Sequence, residues 1–138
     1  MLGGGNPVSS SNPSGTGSGL NIIGNHAYFS PSALACDTSD TIIGKFSTGA
    51  YYVVGTFTVS AGIQLSNPAD IDGAACQIEF DGEVVMLLAT GDGALDAPLM
   101  AQTELLIPPY TNVIITARSS STDANNFITA NYVGRVYA

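Results

Sequence analysis

From Leu20 onward the sequence consists of short runs rich in Val, Ile, Tyr, Phe and Thr, and these runs limit the choice of fold. Gly, Pro, Asn and Asp separate these runs, and apolar residues nowhere keep helical spacing over a long window. β-Branched and aromatic side chains favour strands, whereas the separating residues favour turns. The pattern therefore predicts an all-β chain, an antiparallel two-sheet sandwich with a jelly-roll-like arrangement.

The runs also predict how the chain is divided. We predict strands near residues 20–29, 41–47, 50–60, 62–66, 74–80, 83–89, 103–107, 111–118 and 126–137, with one helical turn near 94–102. Residues 1–19 are rich in Gly and Ser and cannot bury enough apolar surface to offset backbone ordering. We expect a flexible arm over 1–19 and a β-sandwich domain over 20–138. The arm is either an idle tail or a segment that becomes ordered against a partner.

The run CQIEFDGEVVML at 76–87 predicts a hairpin with Asp81-Gly82 as its two-residue turn. Regular pairing across that turn places Ile78 opposite Val85 on the face directed to the core. Three apolar side chains then share the opposite face: Val84, Met86 and Leu88. In a strand with one solvated face, apolar and polar residues usually alternate, and this run does not alternate. The second face is therefore predicted to need cover, either from a loop of the same chain or from another subunit.

Charged residues make up only 10% of the chain and comprise eleven acids against three Lys or Arg. Nucleic acids and anionic lipid surfaces are bound through clusters of cations, and Lys45, Arg118 and Arg135 are too few to form one. We expect neither a nucleic-acid nor a membrane partner. Exposed strand edges in a monomer are usually guarded by charge, especially Lys. The shortage of charge favours a homo-oligomer or a component of a shell.

No pattern predicts an enzyme, a cofactor or a metal site. His26 is the single histidine, and neither a G-x-S-x-G motif nor a zinc-binding spacing of cysteines accompanies it. Cys36 and Cys76 are expected to be buried thiols, with a disulfide as the alternative. Six aspartates could be calcium ligands or ordinary turn residues: Asp37, Asp40, Asp70, Asp72, Asp92 and Asp96. For all six, the role of a turn residue is favoured.

The segments ELLIPPYTNVIITARS (104–119) and NNFITANYVGRVYA (125–138) resemble small β-sandwich virion proteins of tailed bacteriophages and related marine viruses. YYVVGTFTV (51–59) and IEFDGEVV (78–85) look like the matching earlier strands. The resemblance covers roughly residues 45–138 and concerns fold motifs only. It implies a capsid decoration (cement) protein that binds the major capsid protein or another virion protein. Such a protein is made in the host cytoplasm and resides in the virion, and similar jelly-rolls suggest a trimer.

This hypothesis assigns contacts with a neighbour to five residues: Leu2 and Val8 in the arm, and Val84, Met86 and Leu88 in the sandwich. The alternative function is a receptor- or carbohydrate-binding head domain of a viral fibre or spike. Aromatic and amide side chains in loops suit sugars, which predicts a ligand loop containing Tyr110, Asn112 and Asn125. The complete absence of Trp, a common stacking residue for sugar rings, counts against this alternative.

Overall fold

A computed structural model describes residues 20–62, 73–90, 99–120 and 126–137. This part of the chain contains ten strands and no helix. Strands β1 to β5 are Asn21–Ile23, His26–Phe29, Leu34–Cys36, Thr41–Ser47 and Tyr52–Gly62. Strands β6 to β10 are Ala74–Phe80, Glu83–Thr90, Leu99–Ile107, Asn112–Ser119 and Asn126–Tyr137.

Two antiparallel sheets pack against each other, which confirms the predicted all-β sandwich. One sheet has the order β1-β2-β10-β5-β8, with β3 also paired to β10, and the other has the order β4-β9-β6-β7. The antiparallel pairs β2·β10, β4·β9, β5·β8 and β6·β7 are nested in the sequence, with the β6·β7 hairpin innermost. A nested set of strand pairs divided between two sheets is the jelly-roll arrangement.

The core lies between the sheets, and alternate residues of the strands supply it. Along β9 and β10 nearly every second residue is buried, as expected for strands with one face toward the core. Phe46 of β4 contacts three rings of the six-stranded sheet, with centroid distances of 4.8, 6.3 and 5.8 Å to Phe29, Phe57 and Tyr132. The buried Tyr132 hydroxyl donates a hydrogen bond to the carbonyl oxygen of Leu105 at 3.2 Å. Its one polar group is thus satisfied.

The structure corrects the predicted strands in three places. A turn at Gly24 divides the strand predicted at 20–29 into β1 and β2. Strand β3 was not predicted, since it is only three residues long and depends on pairing with β10. The helical turn predicted near 94–102 is wrong over 99–102, where good helix formers instead pair with β5. Residues 63–66 and 94–98 lie outside the described residues.

The hairpin turns where predicted, but a β-bulge changes its pairing. Glu79 faces Val84, as predicted; the register then shifts, and Ile78 faces Met86 instead of Val85. Val85 is the extra residue of the bulge, so that Val84 and Val85 together oppose one residue of β6. Every side chain of β7 beyond the bulge therefore points to the opposite face from the one predicted.

The predicted common face of Val84, Met86 and Leu88 is consequently wrong. Met86 and Leu88 are half-buried and pack against the core. Leu87, between them, points outward and is 72% exposed. Val84 is also exposed, so only one of these three predicted contact residues lies on an open surface.

Candidate functional site

Two turns at one end of the sandwich are joined by Thr48. Its Oγ1 donates to the carbonyl oxygen of Pro108 at 2.8 Å and accepts the N–H of Thr111 at 3.1 Å. Its own N–H donates to the carbonyl oxygen of Thr111 at 3.2 Å. The N–H of Tyr110 donates to the carbonyl oxygen of Gly49 at 2.5 Å. These bonds hold the β4–β5 and β8–β9 connections against each other.

The β6–β7 turn joins the same end through Asp81. The N–H of Asp81 donates to the carbonyl oxygen of Asn112, and the N–H of Asn112 donates to Oδ1 of Asp81, both at 2.9 Å. Because the bonds run in both directions, they fix the start of β9 beside the hairpin turn. We call the three joined connections, together with Asn112 at the start of β9, the turn end: residues 48–51, 81–82 and 108–112.

Tyr110 is the most exposed large side chain at the turn end. It is 75% exposed and has a φ of 55°, in the left-handed region that a bulky residue seldom adopts. Such a conformation costs on the order of 1–3 kcal/mol and persists only when the surroundings hold it. The turn end therefore presents an aromatic ring on a fixed backbone, close in sequence to the exposed Asn112. A ring of this kind can stack on a sugar or pack against a protein loop.

The outward face of the four-stranded sheet carries exposed apolar side chains. Leu87, Val84 and Val85 lie along its β7 edge, and Ile42 lies at its β4 edge. The pairing register places Leu87 beside Gln77, Gln77 beside Thr116 and Thr116 beside Ile42. The row across the sheet thus begins and ends with an exposed aliphatic side chain.

A shallow depression of about 290 Å³ lies on the same face, lined in part by Leu87, Gln77 and Thr116. At its rim, Nε and Nη2 of Arg118 donate to Oδ1 of Asp40 at 2.8 and 2.5 Å. Both side chains are more than half exposed, so solvent screens this ion pair and it adds little stability. The depression is open to solvent.

The outward face of the six-stranded sheet is also apolar in places. Exposed side chains occur on three neighbouring strands: Tyr52 on β5, Met100 and Leu106 on β8, and Val133 and Tyr137 on β10. Among them stand Thr and Ser side chains of β5, and Glu104 and Arg135 are the nearby ionised groups on β8 and β10. Both faces of the sandwich therefore combine apolar and uncharged polar surface with scattered ionised groups, among them Lys45, Glu79 and Arg118 on the four-stranded sheet.

The two cysteines are buried free thiols, as predicted. Burial raises the pKa of Cys76 to about 12, and the neighbouring Cys36 adds to that shift. Burial likewise raises the pKa of Cys36. The reactive form of a cysteine is the thiolate. Because the raised pKa values keep both thiols protonated near neutral pH, neither cysteine is an activated nucleophile there.

Other candidate chemical groups are spread over the surface. Oδ1 of Asp37 accepts the N–H of Ser39 at 2.7 Å, as a turn residue does, and Asp40 pairs with Arg118. The exposed His26 is paired in register with Arg135. In the described ranges no three His, Cys, Asp or Glu side chains come together as a metal site. Within those ranges no helix is long and apolar enough to span a bilayer.

The predicted site residues thus have different outcomes. Leu2, Val8 and Asn125 lie outside the described residues, as do four of the possible calcium ligands: Asp70, Asp72, Asp92 and Asp96. Tyr110 and Asn112 lie together on the turn end. The prediction missed Leu87, because apolar residues occupy consecutive positions from Val84 to Leu88 and fit either face equally well. The bulge that selects the face has no distinctive residue type in this sequence.

No family model and no curated protein matches this chain. One solved structure similar to it is a β-glucosidase from Paenibacillus barengoltzii, with 12% identity and a TM-score of 0.43. That match covers 96% of this chain but only 12% of the glucosidase chain. Another is the C-terminal domain of EclA, a sugar-binding protein, with 12% identity, a TM-score of 0.34 and coverage of 93% and 89%. These values are too low to assign a family or a function.

Proposed function

We propose that this chain is a non-enzymatic virion structural protein, a capsid decoration subunit that binds the outside of a head shell and bridges its subunits. One observation carries the proposal: within the described residues, the outward faces of both sheets expose large apolar side chains between scattered ionised groups. Exposed apolar surface rimmed by polar residues commonly marks a protein interaction site. The sequence resemblance to phage virion proteins agrees with this assignment.

The energetics suit a subunit bound at many equivalent places. Burying Leu87 or Leu106 gains about 25 cal/mol per Å² of apolar area. The uncharged polar groups around them cost less to desolvate than ionised groups would. A single contact of this kind is modest, but a subunit that bridges two shell proteins engages the second one at high effective concentration.

The predicted arm over residues 1–19 gives the proposal a second contact. Fully extended, 19 residues reach about 60 Å, which is enough to cross onto a neighbouring shell subunit. Leu2 and Val8 are the arm's aliphatic side chains besides Met1 and are proposed as its anchors. Removal of the arm is expected to leave the sandwich folded and to weaken shell binding.

The test is quantitative mass spectrometry of purified particles from the virus that encodes the chain. A decoration subunit is expected at a copy number proportional to the major capsid protein. Empty shells that lack the protein should rebind the added full-length chain in co-sedimentation, and the variant without residues 1–19 should rebind less. Absence from particles, or presence only at a few copies per particle, contradicts the proposal.

Tyr110 favours a second candidate, the receptor- or carbohydrate-binding head domain. Its ring is exposed and held in a costly backbone conformation, which occurs often at functional sites. A glycan array tests this with the full chain, a Tyr110→Ala variant and a Val133→Ala control that removes an exposed apolar group from a different face. Loss of glycan binding in Tyr110→Ala, with binding retained in Val133→Ala, supports the candidate. The absence of glycan binding by the full chain rejects it.

A further inference from the structure

Among the described residues, β7 is an edge strand, and its second half, Met86–Thr90, lacks the bulges and charges that protect the other edges. Within the described residues it pairs with β6 alone, leaving the N–H and C=O groups of alternate residues without a strand partner on the other side. Unpaired edge groups of this kind are a template for another strand.

The other edge strands of the two sheets have features that prevent the addition of another strand, namely short length, bulges or charged residues. Strand β4 has a bulge at Ile43 and an exposed Lys45. Strand β8 has the exposed Glu104 at its middle, and β1 and β3 are each three residues long. Short, bulged or charged edges resist pairing. In β7 the bulge and Glu83 lie at the beginning, and Met86–Thr90 is regular, uncharged and free of Pro.

We infer that β7 pairs antiparallel with β7 of a second copy of this chain, about a two-fold axis that passes beside Leu87. The two four-stranded sheets then form one continuous sheet of eight strands. Leu87, the most exposed aliphatic side chain of the described residues, lies against Leu87 of the second copy. Met86 of each copy lies opposite Leu88 of the other, so the outward faces of the two sheets coincide.

The charges on the strand favour a second copy in this orientation. With the axis beside Leu87, each Glu83 lies three ladder positions from the axis because the bulge adds a residue, so the two side chains are about 20 Å apart along the strands. That separation exceeds the screening length of roughly 8 Å at physiological salt. A parallel pairing in register would instead place the two carboxylates side by side. Antiparallel self-pairing thus brings uncharged segments together and keeps the acids apart.

This inference stands apart from the capsid proposal, because it concerns only two copies of the chain. A two-fold contact also departs from the trimer that the resemblance implied. Sedimentation velocity of the full chain over a range of concentrations provides the test. We expect a species of about 28 kDa, twice the 14.1 kDa chain, that grows with concentration. A monomer at all concentrations, or a trimer, overturns the inference.

Two variants locate the contact. Leu87→Lys places two like charges at the axis and is expected to weaken dimerisation about tenfold or more. Its matched control is Val133→Lys, at another exposed aliphatic residue on the opposite sheet, which should dimerise as the wild type does. An unchanged dimer in Leu87→Lys, or equal weakening in both, places the contact elsewhere and overturns the inference.

Cross-linking gives an independent measure of the same geometry. Leu87→Cys is expected to form a covalent dimer under mild oxidation with oxidised glutathione. The two introduced thiols of the dimer lose two protons and two electrons and become a disulfide. One molecule of glutathione disulfide accepts them and becomes two glutathione thiols. The native cysteines are buried and do not compete. Val133→Cys is the control. Cross-linking of Val133→Cys but not of Leu87→Cys contradicts the inference, whether or not the chain binds a shell.

Discussion

Gly55 of β5 and Gly134 of β10 face each other with no room for a side chain on either residue. A Cβ atom on Gly55 would lie 2.6 Å from Cα of Gly134, and one on Gly134 would lie 2.7 Å from Cα of Gly55. Any other residue forces apart two central strands of the six-stranded sheet. This close approach lies next to the aromatic core at Phe57 and Tyr132, whose rings have centroids 4.4 Å apart.

Gly55→Ala and Gly134→Ala are therefore each expected to lower the free energy of unfolding by about 2–3 kcal/mol, because backbone must move to admit the methyl group. Gly24→Ala is the control. Its Cβ would meet no atom within 4 Å, so only the positive φ of 61° contributes, at about 1 kcal/mol. Urea denaturation measures all three. Equal losses at Gly24 and Gly55 would contradict the steric explanation.

The bulge in β7 predicts which of its side chains support the fold. Met86→Ala and Leu88→Ala are each expected to cost about 1–2 kcal/mol, less than for full burial, since both residues are half-buried against the core. Leu87→Ala should change the stability of the protomer by less than about 0.5 kcal/mol. These measurements belong at low concentration, where self-association does not contribute. The opposite ranking would indicate the regular hairpin without a bulge.

The buried thiol of Cys76 predicts a loss of stability at alkaline pH. Its folded pKa of about 12 lies above the ordinary thiol pKa of 9.0, so the unfolded state releases its proton first. The contribution is fully present below pH 9 and falls as the pH rises from 9 to 12, with a slope of up to about 1.4 kcal/mol per pH unit.

The measurement is urea denaturation at several pH values for the wild type and for Cys76→Ala. The variant is less stable at neutral pH because of the cavity, but its stability should fall less steeply above pH 9. Burial also raises the pKa of Tyr132, which is retained in both proteins and contributes equally above pH 10. Parallel curves for the two proteins would show that Cys76 is not the titrating group.

Thr48 connects two turns of the turn end through its hydroxyl group. Thr48→Val keeps the shape of the side chain and leaves the carbonyl of Pro108 and the N–H of Thr111 without that partner. The expected cost is about 1–2 kcal/mol, together with faster amide exchange at Tyr110. Thr58→Val, which removes an exposed bond to Gln102, is the control and should cost less. Equal costs would mean that the turn end does not depend on Thr48.

Local sequence patterns were enough to predict the all-β class, most strand positions and the Asp81-Gly82 turn. These properties depend on local preferences, namely strand-forming side chains, alternation and the residues that a tight turn requires. The same patterns also predicted that both cysteines are buried thiols. In each case the information lies within a few neighbouring residues.

The outward face of β7 could not be predicted from the sequence and is seen only in the folded chain, because Val84 to Leu88 are apolar and fit the core in either register. The bulge at Val85 turns Met86 and Leu88 to the core and exposes Leu87. Strand β3 and the start of β8 likewise depend on partners far away in the sequence, at β10 and β5. Local propensity is weak against such long-range pairing, since burial and backbone hydrogen bonds across the sheet outweigh it.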